Sequence, residues 1–316
     1  MCTYNGQTFL PDQLASILAQ SYPPIEVVIL DDGSEDDTCA IINNASNSTS
    51  LPIHLHSNPE RLGPAANFAR AASLSSGELI AFCDQDDFWL PHKLEKFVSI
   101  LARQLDTVAA FSDAKVVDAE LKPFGYTMWQ QVGFTPSRQQ FLLDDRPWDV
   151  LFKDPVVTGA TLIFRRELLP LILPIPKCWM HDAWIAQIAA SQGRIVAVPE
   201  PLILYRQHVN NVIGGKKLSF FEQIRRADTL GRLGLIDREL KRYRVLRDRL
   251  ASFPKTPRCN VMLLMAEAKI AHLVRRGHVP TNRLFRFPVL LREFLNGNYR
   301  RFAKDWRNVL ADLLMP

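Results

Sequence analysis

The fold of this 316-residue chain is decided by Leu79-Ile80-Ala81-Phe82-Cys83-Asp84-Gln85-Asp86-Asp87, a short apolar run that ends in three closely spaced carboxylates. Such a run predicts a buried strand, and α/β proteins bind ligands at the carboxyl ends of these strands. Three neighbouring anions need a compensating cation, and oxygen ligands with room for phosphate oxygens suit Mg²⁺ or Mn²⁺. The alternative is a solvated turn at a helix start, because Pro91 follows and Asp is frequent there.

The residues around this stretch alternate between helix-like and strand-like patterns from 7 to 200. This alternation predicts an α/β fold with a mainly parallel sheet and helices on both faces. The predicted strands after the first are 25–30, 52–57, the acidic strand at 79, 108–117 and 156–164, and the predicted helices are 10–18, 65–74, 91–104 and 179–192. Residues 118–155 contain many Pro and Gly residues, so we expect an irregular excursion over the site.

The pattern changes after Gly214-Gly215, where three helices are predicted at 218–252, 261–276 and 299–314. We therefore expect an α/β domain over 1–215 and a basic helical region over 216–316. The second region has 23 Lys and Arg against 9 Asp and Glu, whereas the first has 15 against 24. Such asymmetry predicts contact of the helical region with a membrane surface or a polyanion, and a solvated helical face is the alternative.

The composition excludes several classes of protein. No run approaches the roughly 18 to 20 apolar residues of a membrane span, and the N-terminus has no secretory signal pattern. The five cysteines form no C-x-x-C pair, which argues against a zinc site and a disulfide framework. A cytoplasmic protein is therefore expected.

Four more polar clusters stand at predicted element ends: Thr3-Tyr4-Asn5-Gly6, Asp31-Asp32-Gly33-Ser34, His181-Asp182 and Tyr205-Arg206-Gln207-His208. Any one alone could be a turn. Their order and spacing over residues 2–213, with D-D-G-S followed by D-x-D-D-x-W, resemble the family 2 glycosyltransferases. The resemblance implies an inverting enzyme with the Rossmann-like GT-A fold.

The resemblance also implies a nucleotide-binding set, which comprises Thr3, Tyr4, Asn5, Asp32, Gly63, Asn67 and Asp84. Within this set Asp32 would accept a hydrogen bond from the base imide, which suits a uridine or thymidine nucleotide. Gly63 and Asn67 would close a second loop beside the base, although simple helix entry explains them as well. Asp84 would approach the ribose.

On the same basis, Asp86 and His208 would hold the Mg²⁺ or Mn²⁺ ion, and Asp182 would be the general base that activates the acceptor hydroxyl. His181 stands where many family members have an acidic residue. It would orient the base, contact the acceptor or serve only as a helix residue. Trp184 would stack on a sugar ring or pack in the core.

The implied function is metal-dependent transfer of a sugar from dTDP-rhamnose or a UDP-sugar to a hydroxyl of a cell-surface glycan or lipid-linked acceptor. The His-Asp and Tyr-Arg-Gln-His clusters look like the branch with rhamnosyltransferases. Peripheral contact with the inner face of the cell membrane is expected through the basic C-terminal helices. No nucleic-acid module is present, so no nucleic-acid partner is expected.

Two alternatives remain at the sequence level. A nucleotidyltransferase on a related fold would need a glycine-rich basic loop near the N-terminus, and the sequence has none. A non-catalytic truncated homologue is the other alternative, because only Met1 and Cys2 precede Thr3 where family members have an apolar central strand. We therefore expect that the first strand is missing and that the chain lacks its true N-terminus.

Overall fold

The computed structural model describes residues 1–208, 231–280 and 285–303, together with 309, 312 and 313. The chain divides into two compact units, of which the first comprises Met1–Asp145 and Val156–Gly214 and the second Arg146–Pro155 and Gly215–Pro316. Residues 146–155 belong to the second unit, although they fall within the α/β domain predicted over 1–215. The predicted boundary near 215 lies outside the described residues and stays a prediction.

The first unit contains a parallel sheet of three strands in the order β1 (Cys2–Thr3), β2 (Val27–Asp31) and β3 (Ile53–Ser57). Every residue of β2 is buried, because Val27 and Ile29 join one apolar cluster while Val28 and Leu30 pack against Ala71 in another. The expectation of a missing first strand is corrected in part. Cys2 and Thr3 form a short strand that pairs in parallel with β2.

A six-stranded sheet follows in the order β4 (Leu79–Ala81), β8 (Leu162–Arg165), β6 (Thr107–Val117), β9 (Arg194–Arg206) and β5 (Phe88–Trp89), with β7 (Pro123–Thr127) paired to β6. Only β6 and β9 run parallel; the other four pairs are antiparallel. The predicted mainly parallel sheet is therefore correct for the first sheet and wrong for the second. The physical reason is that β7 and β8 run back against β6, a direction that the apolar pattern does not encode.

Helices connect these strands: α1 (Leu10–Leu18), α2 (Thr38–Asn47), α3 (Pro64–Leu74), α4 (Lys93–Arg103), α5 (Met128–Val132), α6 (Pro136–Leu143), α8 (Leu169–Ile172) and α9 (His181–Gln192). The prediction of an irregular excursion at 118–155 is wrong in detail. This segment contains β7, α5, α6 and the short α7 (Trp148–Leu151) of the second unit. Thr127 stabilises the start of α5 by a reciprocal capping box with Gln130.

The second unit also contains α10 (Gly231–Ala251), α11 (Pro257–Gly277), α12 (Arg286–Leu295) and α13 (Asn298–Phe302). Residues at helical spacing on α10 are buried, among them Leu240, Tyr243 and Leu246. The predicted helix at 218–252 is confirmed over α10, and its first part lies outside the described residues. Among the described helices, none is long and apolar enough to cross a membrane.

Candidate active site

The Asp31-Asp32 pair follows β2, and its two carboxylates have different partners. Asp31 accepts hydrogen bonds from the Thr3 hydroxyl at 2.8 Å and from the backbone N–H groups of Gly33 and Ser34 at 3.1 and 2.8 Å. It therefore shapes the turn, in which Gly33 has a φ of +88° that disfavours a side chain. Asp32 is left to face the next loop.

Asp32 joins the residues that were predicted beside the base into one buried network. Its carboxylate accepts from the Asn58 amide at 2.9 Å and from the backbone N–H groups of Leu62 and Gly63 at 2.7 and 2.8 Å. Asn58 also donates to Asn67 at 2.8 Å, and Asn67 donates to the Leu30 carbonyl at 3.0 Å. The structure brings Asp32, Gly63 and Asn67 together, and their nucleotide-binding role stays a prediction.

Tyr4 and Asn5 form a loop that contacts the acidic segment. The backbone N–H of Tyr4 donates to Gln85 Oε1 at 2.9 Å, and Gln85 Nε2 donates back to the Tyr4 carbonyl at 3.1 Å. The Arg61 guanidinium lies 3.7 Å from the centroid of the Tyr4 ring, a cation–π contact. Sequence reasoning missed Gln85, because it stands between two acids as an apparent spacer.

The three carboxylates after β4 share a negative environment, in which Asp87 is buried and Asp84 and Asp86 are half-buried. Burial, followed by the charges of Asp86 and Asp182, raises the pKa of Asp84 to about 7. Burial and the charges of Asp86 and Asp84 likewise raise the pKa of Asp87 well above its usual range. Burial also raises the pKa of Tyr205, and all four carboxylates add to that shift. The acidic segment, Asp182 and Tyr205, which come from three parts of the sequence, therefore lie close together.

His208 contacts Asp86 directly, with 2.8 Å between His208 Nε2 and Asp86 Oδ2. The neighbouring Arg206, which is 2% exposed, donates from Nε to the Asp86 carbonyl at 2.8 Å and from its backbone N–H to Asp87 Oδ1 at 3.1 Å. Pairing of β9 with β5, in which Leu204 opposes Phe88, sets this register. The structure thus unites the two predicted metal ligands.

These residues fit a divalent cation by their chemistry. Asp86 offers a carboxylate and His208 an imidazole, and buried Asp87 Oδ2 has no hydrogen-bond partner among the described residues. No cluster of three or more His, Cys, Asp or Glu with metal-binding geometry occurs in the described part of the chain. Mg²⁺ is commonly held by one or two carboxylates together with substrate phosphates, so a two-residue set is compatible with it.

Asp182 lies in the first turn of α9, where the helix dipole favours a negative charge. Its Oδ1 accepts from the backbone N–H of Ala183 at 2.6 Å, and its Oδ2 from the backbone N–H of Gly159 at 3.1 Å. The carboxylate is half-buried and oriented by two donors. This arrangement suits a group that must accept a proton in a fixed position.

His181 and Trp184 point into the protein. His181 is 6% exposed and stacks on the Phe68 ring at 4.4 Å, its ring nitrogens have no hydrogen-bond partner among the described residues, and burial lowers its pKa. Of the three roles considered, these contacts favour a helix residue. Trp184 is fully buried and donates to the Ile172 carbonyl at 2.8 Å, so the core-packing alternative is correct.

Lys93 is a residue near the site that sequence reasoning missed. It is fully buried at the start of α4, its Nζ donates to the Ala160 carbonyl at 2.8 Å, and it lies 3.6 Å from the centroid of the Trp89 ring. Burial lowers its pKa to about 7, although the charges of Cys83, Asp87 and Asp84 oppose this effect. The signal in the sequence that could have identified Lys93 is its position directly before a stripe of apolar residues at helical spacing, Leu94, Phe97 and Leu101, all of which are buried.

Comparison with known proteins gives a family, relatives and a fold. The sequence model described as Glycosyl transferase family 2 matches residues 1–169. An uncharacterized glycosyltransferase of Nostoc sp. is 30% identical over 213 residues, or 66% of this chain and 63% of that protein, so the chain spans less than two thirds of that relative's length. The dTDP-rhamnosyl transferase RfbG of Shigella flexneri is 26% identical over 243 residues, or 72% and 77% of the two chains.

Among solved structures, that of S. aureus TarS 1-349 in complex with UDP-GlcNAc aligns with a TM-score of 0.58 at 18% identity, over 99% of this chain and 78% of that one. A likeness at this identity concerns the fold alone. It confirms the predicted GT-A fold.

Proposed function

Because the chain belongs to glycosyl transferase family 2, we propose that it is an inverting glycosyltransferase that moves a sugar from a nucleoside diphosphate to an acceptor hydroxyl. The observation that carries the proposal is that Asp84 lies close enough to Asp86 and Asp182 for the charges of both to raise its pKa. Carboxylates that follow β4 and one that begins α9 share a single site. In such a site the carboxylates after β4 can serve the donor, and Asp182 can serve the acceptor. The family match also favours sugar transfer over the nucleotidyltransferase alternative.

Asp182 is the proposed general base. The acceptor oxygen attacks the anomeric carbon from the face opposite the nucleotide, its proton passes to the Asp182 carboxylate, and the bond from that carbon to the diphosphate oxygen breaks. A single displacement of this kind inverts the anomeric configuration. The N–H donors of Gly159 and Ala183 support this role, because they hold the carboxylate in one orientation before the acceptor arrives.

The donor nucleotide is proposed to bind the set Thr3, Tyr4, Asn5, Asp32, Gly63, Asn67 and Asp84. An ionised carboxylate has about four acceptor positions. Asp32 uses three of them for Asn58, Leu62 and Gly63, so capacity remains for the imide N–H of a pyrimidine. The buried network around it supports the proposal by fixing the carboxylate before the nucleotide binds.

Asp86 and His208 are the proposed protein ligands of Mg²⁺ or Mn²⁺. Such an ion supplies positive charge to the diphosphate when bound, and thereby stabilises the leaving group. The protein's own contribution is to keep the carboxylate and the imidazole adjacent. Arg206 supports this through its bond to the Asp86 carbonyl.

The proposed donor is dTDP-rhamnose, with a UDP-sugar as the second choice. Similarity to a protein named dTDP-rhamnosyl transferase supports the first, and the UDP-GlcNAc bound by the TarS structure supports the second through the fold alone. The proposed acceptor is a hydroxyl of a cell-surface glycan or a lipid-linked glycan.

We also propose peripheral contact with an anionic membrane through α12. Arg286, Leu290 and Glu293 of this helix are buried, whereas Phe287, Phe294 and Leu295 are 58–74% exposed. Arg292 on this helix and Arg300 and Arg301 on α13 are exposed, and residues 285–303 include no exposed acid. Apolar and basic side chains together are typical of a helix that lies in a lipid interface.

One experiment tests the proposed reaction. The full chain is incubated with Mn²⁺ and one of dTDP-rhamnose, UDP-hexoses or UDP-N-acetylhexosamines, and thermal stability and nucleoside diphosphate release are measured. We expect dTDP-rhamnose to give the largest stabilisation and product release with a glycan acceptor. The proposal is wrong if none of these donors either stabilises the protein or is consumed.

A further inference from the structure

We propose that Lys93 is a positioning residue of the transfer reaction, which holds the turn Thr158–Thr161 so that this turn can orient the Asp182 carboxylate. The inference rests on the proposed function of Asp182 as the general base. It adds a residue from α4 that touches neither the donor nor the acceptor. The evidence is a chain of two hydrogen bonds through adjacent residues of the turn.

The first bond joins Lys93 to the turn. Lys93 Nζ donates to the Ala160 carbonyl at 2.8 Å, and both residues are at most 1% exposed. Burial of an amino group is unfavourable compared with burial of a Met or Leu side chain, unless its contacts compensate. Here the contacts are a carbonyl oxygen and the face of the Trp89 ring, at 3.6 Å from its centroid. A fixed, desolvated donor of this kind restrains the carbonyl it binds.

The second bond joins the turn to the base. Gly159, directly before Ala160, donates its backbone N–H to Asp182 Oδ2 at 3.1 Å. The turn is closed by the Thr158 carbonyl, which accepts from the N–H and the hydroxyl of Thr161 at 3.0 and 2.9 Å. Displacement of Ala160 would therefore move the N–H that orients the carboxylate.

The packing against α9 is close at this point. A Cβ added to Gly159 would lie 2.5 Å from Nε2 of His181, so the turn touches the first residue of α9 directly. Without the Gly159 bond, Asp182 would keep only the N–H of the adjacent Ala183. That single donor fixes one oxygen and leaves the carboxylate freer to rotate.

Lys93 has a second conceivable role, which is to balance the charges of Asp84 and Asp87 beside it. The two roles differ in what they need. Charge balance needs the ammonium form, whereas the bond to Ala160 needs only an N–H, which the neutral amine also provides. Charge balance would also act on the donor side of the site, whereas positioning of Asp182 acts on the acceptor side.

Lys93→Met tests the proposal by separating kcat from KM. We expect kcat to fall about 10- to 100-fold, because small misplacements of a catalytic group have effects of this order. The KM for the donor should stay within about twofold, since the donor side of the site is unchanged. The matched control is Lys96→Met on the same helix, where the lysine is half-exposed and pairs with Glu200. It should leave both constants unchanged.

A double-mutant cycle identifies the group through which Lys93 acts. Combined with Asp182→Asn, Lys93→Met should have almost no further effect on kcat, because the base it positions is already lost. In the Asp84→Asn background, Lys93→Met should lower kcat by the same factor as in the wild-type protein. A further fall of kcat in the Asp182→Asn background, or a raised donor KM with unchanged kcat, would overturn the proposal.

Amide hydrogen exchange on the wild-type protein provides a measurement that needs no Lys93 variant. The Gly159 N–H should be protected, and Asp182→Ala should remove much of that protection. Exchange as fast as in an unstructured peptide would show that the link to Asp182 is absent. If the wild-type protein transfers no sugar, the proposed function is wrong, while this measurement still reports on the link.

Discussion

At the scale of single residues, Asp182 has the clearest consequence. Replacement of Asp182 by Asn keeps the shape and one of the two hydrogen bonds from Gly159 and Ala183, because an amide has a single acceptor oxygen, and the amide cannot take the acceptor's proton. We expect kcat to fall by roughly 10² to 10⁴, the usual span for a general base, with donor affinity nearly intact. Steady-state kinetics and donor titration measure the two effects, with exposed Asp237→Asn as the control. Wild-type turnover of the Asp182→Asn variant would contradict the mechanism.

Replacement of Asp86 should instead weaken the metal-dependent binding of the nucleotide. Asp86→Ala leaves His208 as the one remaining proposed protein ligand, so the Mn²⁺-dependent part of dTDP binding should be lost. Isothermal titration with and without Mn²⁺ measures it, and exposed Asp106→Ala serves as the control. An unchanged Mn²⁺ dependence in the Asp86→Ala variant would rule out this ligand.

The residue types of the candidate site could be predicted from the sequence, whereas their supporting contacts could not. Asp84 and Asp86 stood out as acids after an apolar run, and their roles and that of Asp182 were predicted from the resemblance to the family. Lys93 was not, since its partner Ala160 is distant in sequence and a backbone carbonyl leaves no trace in the residue pattern. Asn58 was missed for a similar reason, as its amide binds Asp32 across a loop.

At the scale of elements, strong apolar periodicity predicted the helices α1, α3 and α4 and the strands β2, β3 and β6 to within a few residues. Elements that depend on tertiary contacts were missed. The strand β7 contains Pro123 and Gly125, which favour turns, and it forms because β6 offers an edge for pairing. The helix α12 was missed as well.

The exposed side of α12 gives a prediction for membrane binding. The wild-type chain should sediment with phosphatidylglycerol-containing vesicles at low salt and much less with phosphatidylcholine alone, because the arginines beside the helix favour anionic lipid. Phe287→Ser combined with Phe294→Ser should reduce binding by about tenfold or more, since two exposed rings no longer enter the interface.

The control for this experiment is Leu105→Ser, an equally apolar and 84% exposed residue of the first unit, which should leave vesicle binding unchanged. Absence of wild-type binding would remove the membrane proposal. The membrane proposal would also be wrong if light scattering showed that the wild-type chain is a dimer and the double Phe variant a monomer. In that case this side of α12 would bind a second copy of the chain.

At the scale of the whole molecule, the charge asymmetry and the change from an α/β pattern to helices were visible in the sequence. The direction of the strands in the second sheet was not, because buried parallel and antiparallel strands have the same apolar composition. The structure has two hydrogen-bonded sheets in its first unit, and the two-residue β1 pairs only with β2 among the described strands.

Gln85 links the loop after β1 to the acidic segment, so its loss should weaken the first unit. Gln85→Leu removes both hydrogen bonds to the Tyr4 backbone and leaves those groups unsatisfied. We expect the free energy of unfolding to fall by about 1–3 kcal/mol. Denaturant unfolding followed by tryptophan fluorescence measures it, with exposed Gln140→Leu as the control. Equal stability of the two variants would contradict this role.

The Gln85 bonds also have a consequence for motion. The side-chain amide of Gln85 pairs with the Tyr4 backbone as a peptide unit of a β-ladder would, and a Cβ on Gly6 would lie 2.3 Å from Gln85 Oε1, so a larger residue there would displace this side chain. Movement of either the Tyr4 loop or the acidic segment would therefore break these two hydrogen bonds or move the other segment with it. A donor that orders one of them should order both, so nucleotide binding and arrangement of the metal ligands would occur as one cooperative event.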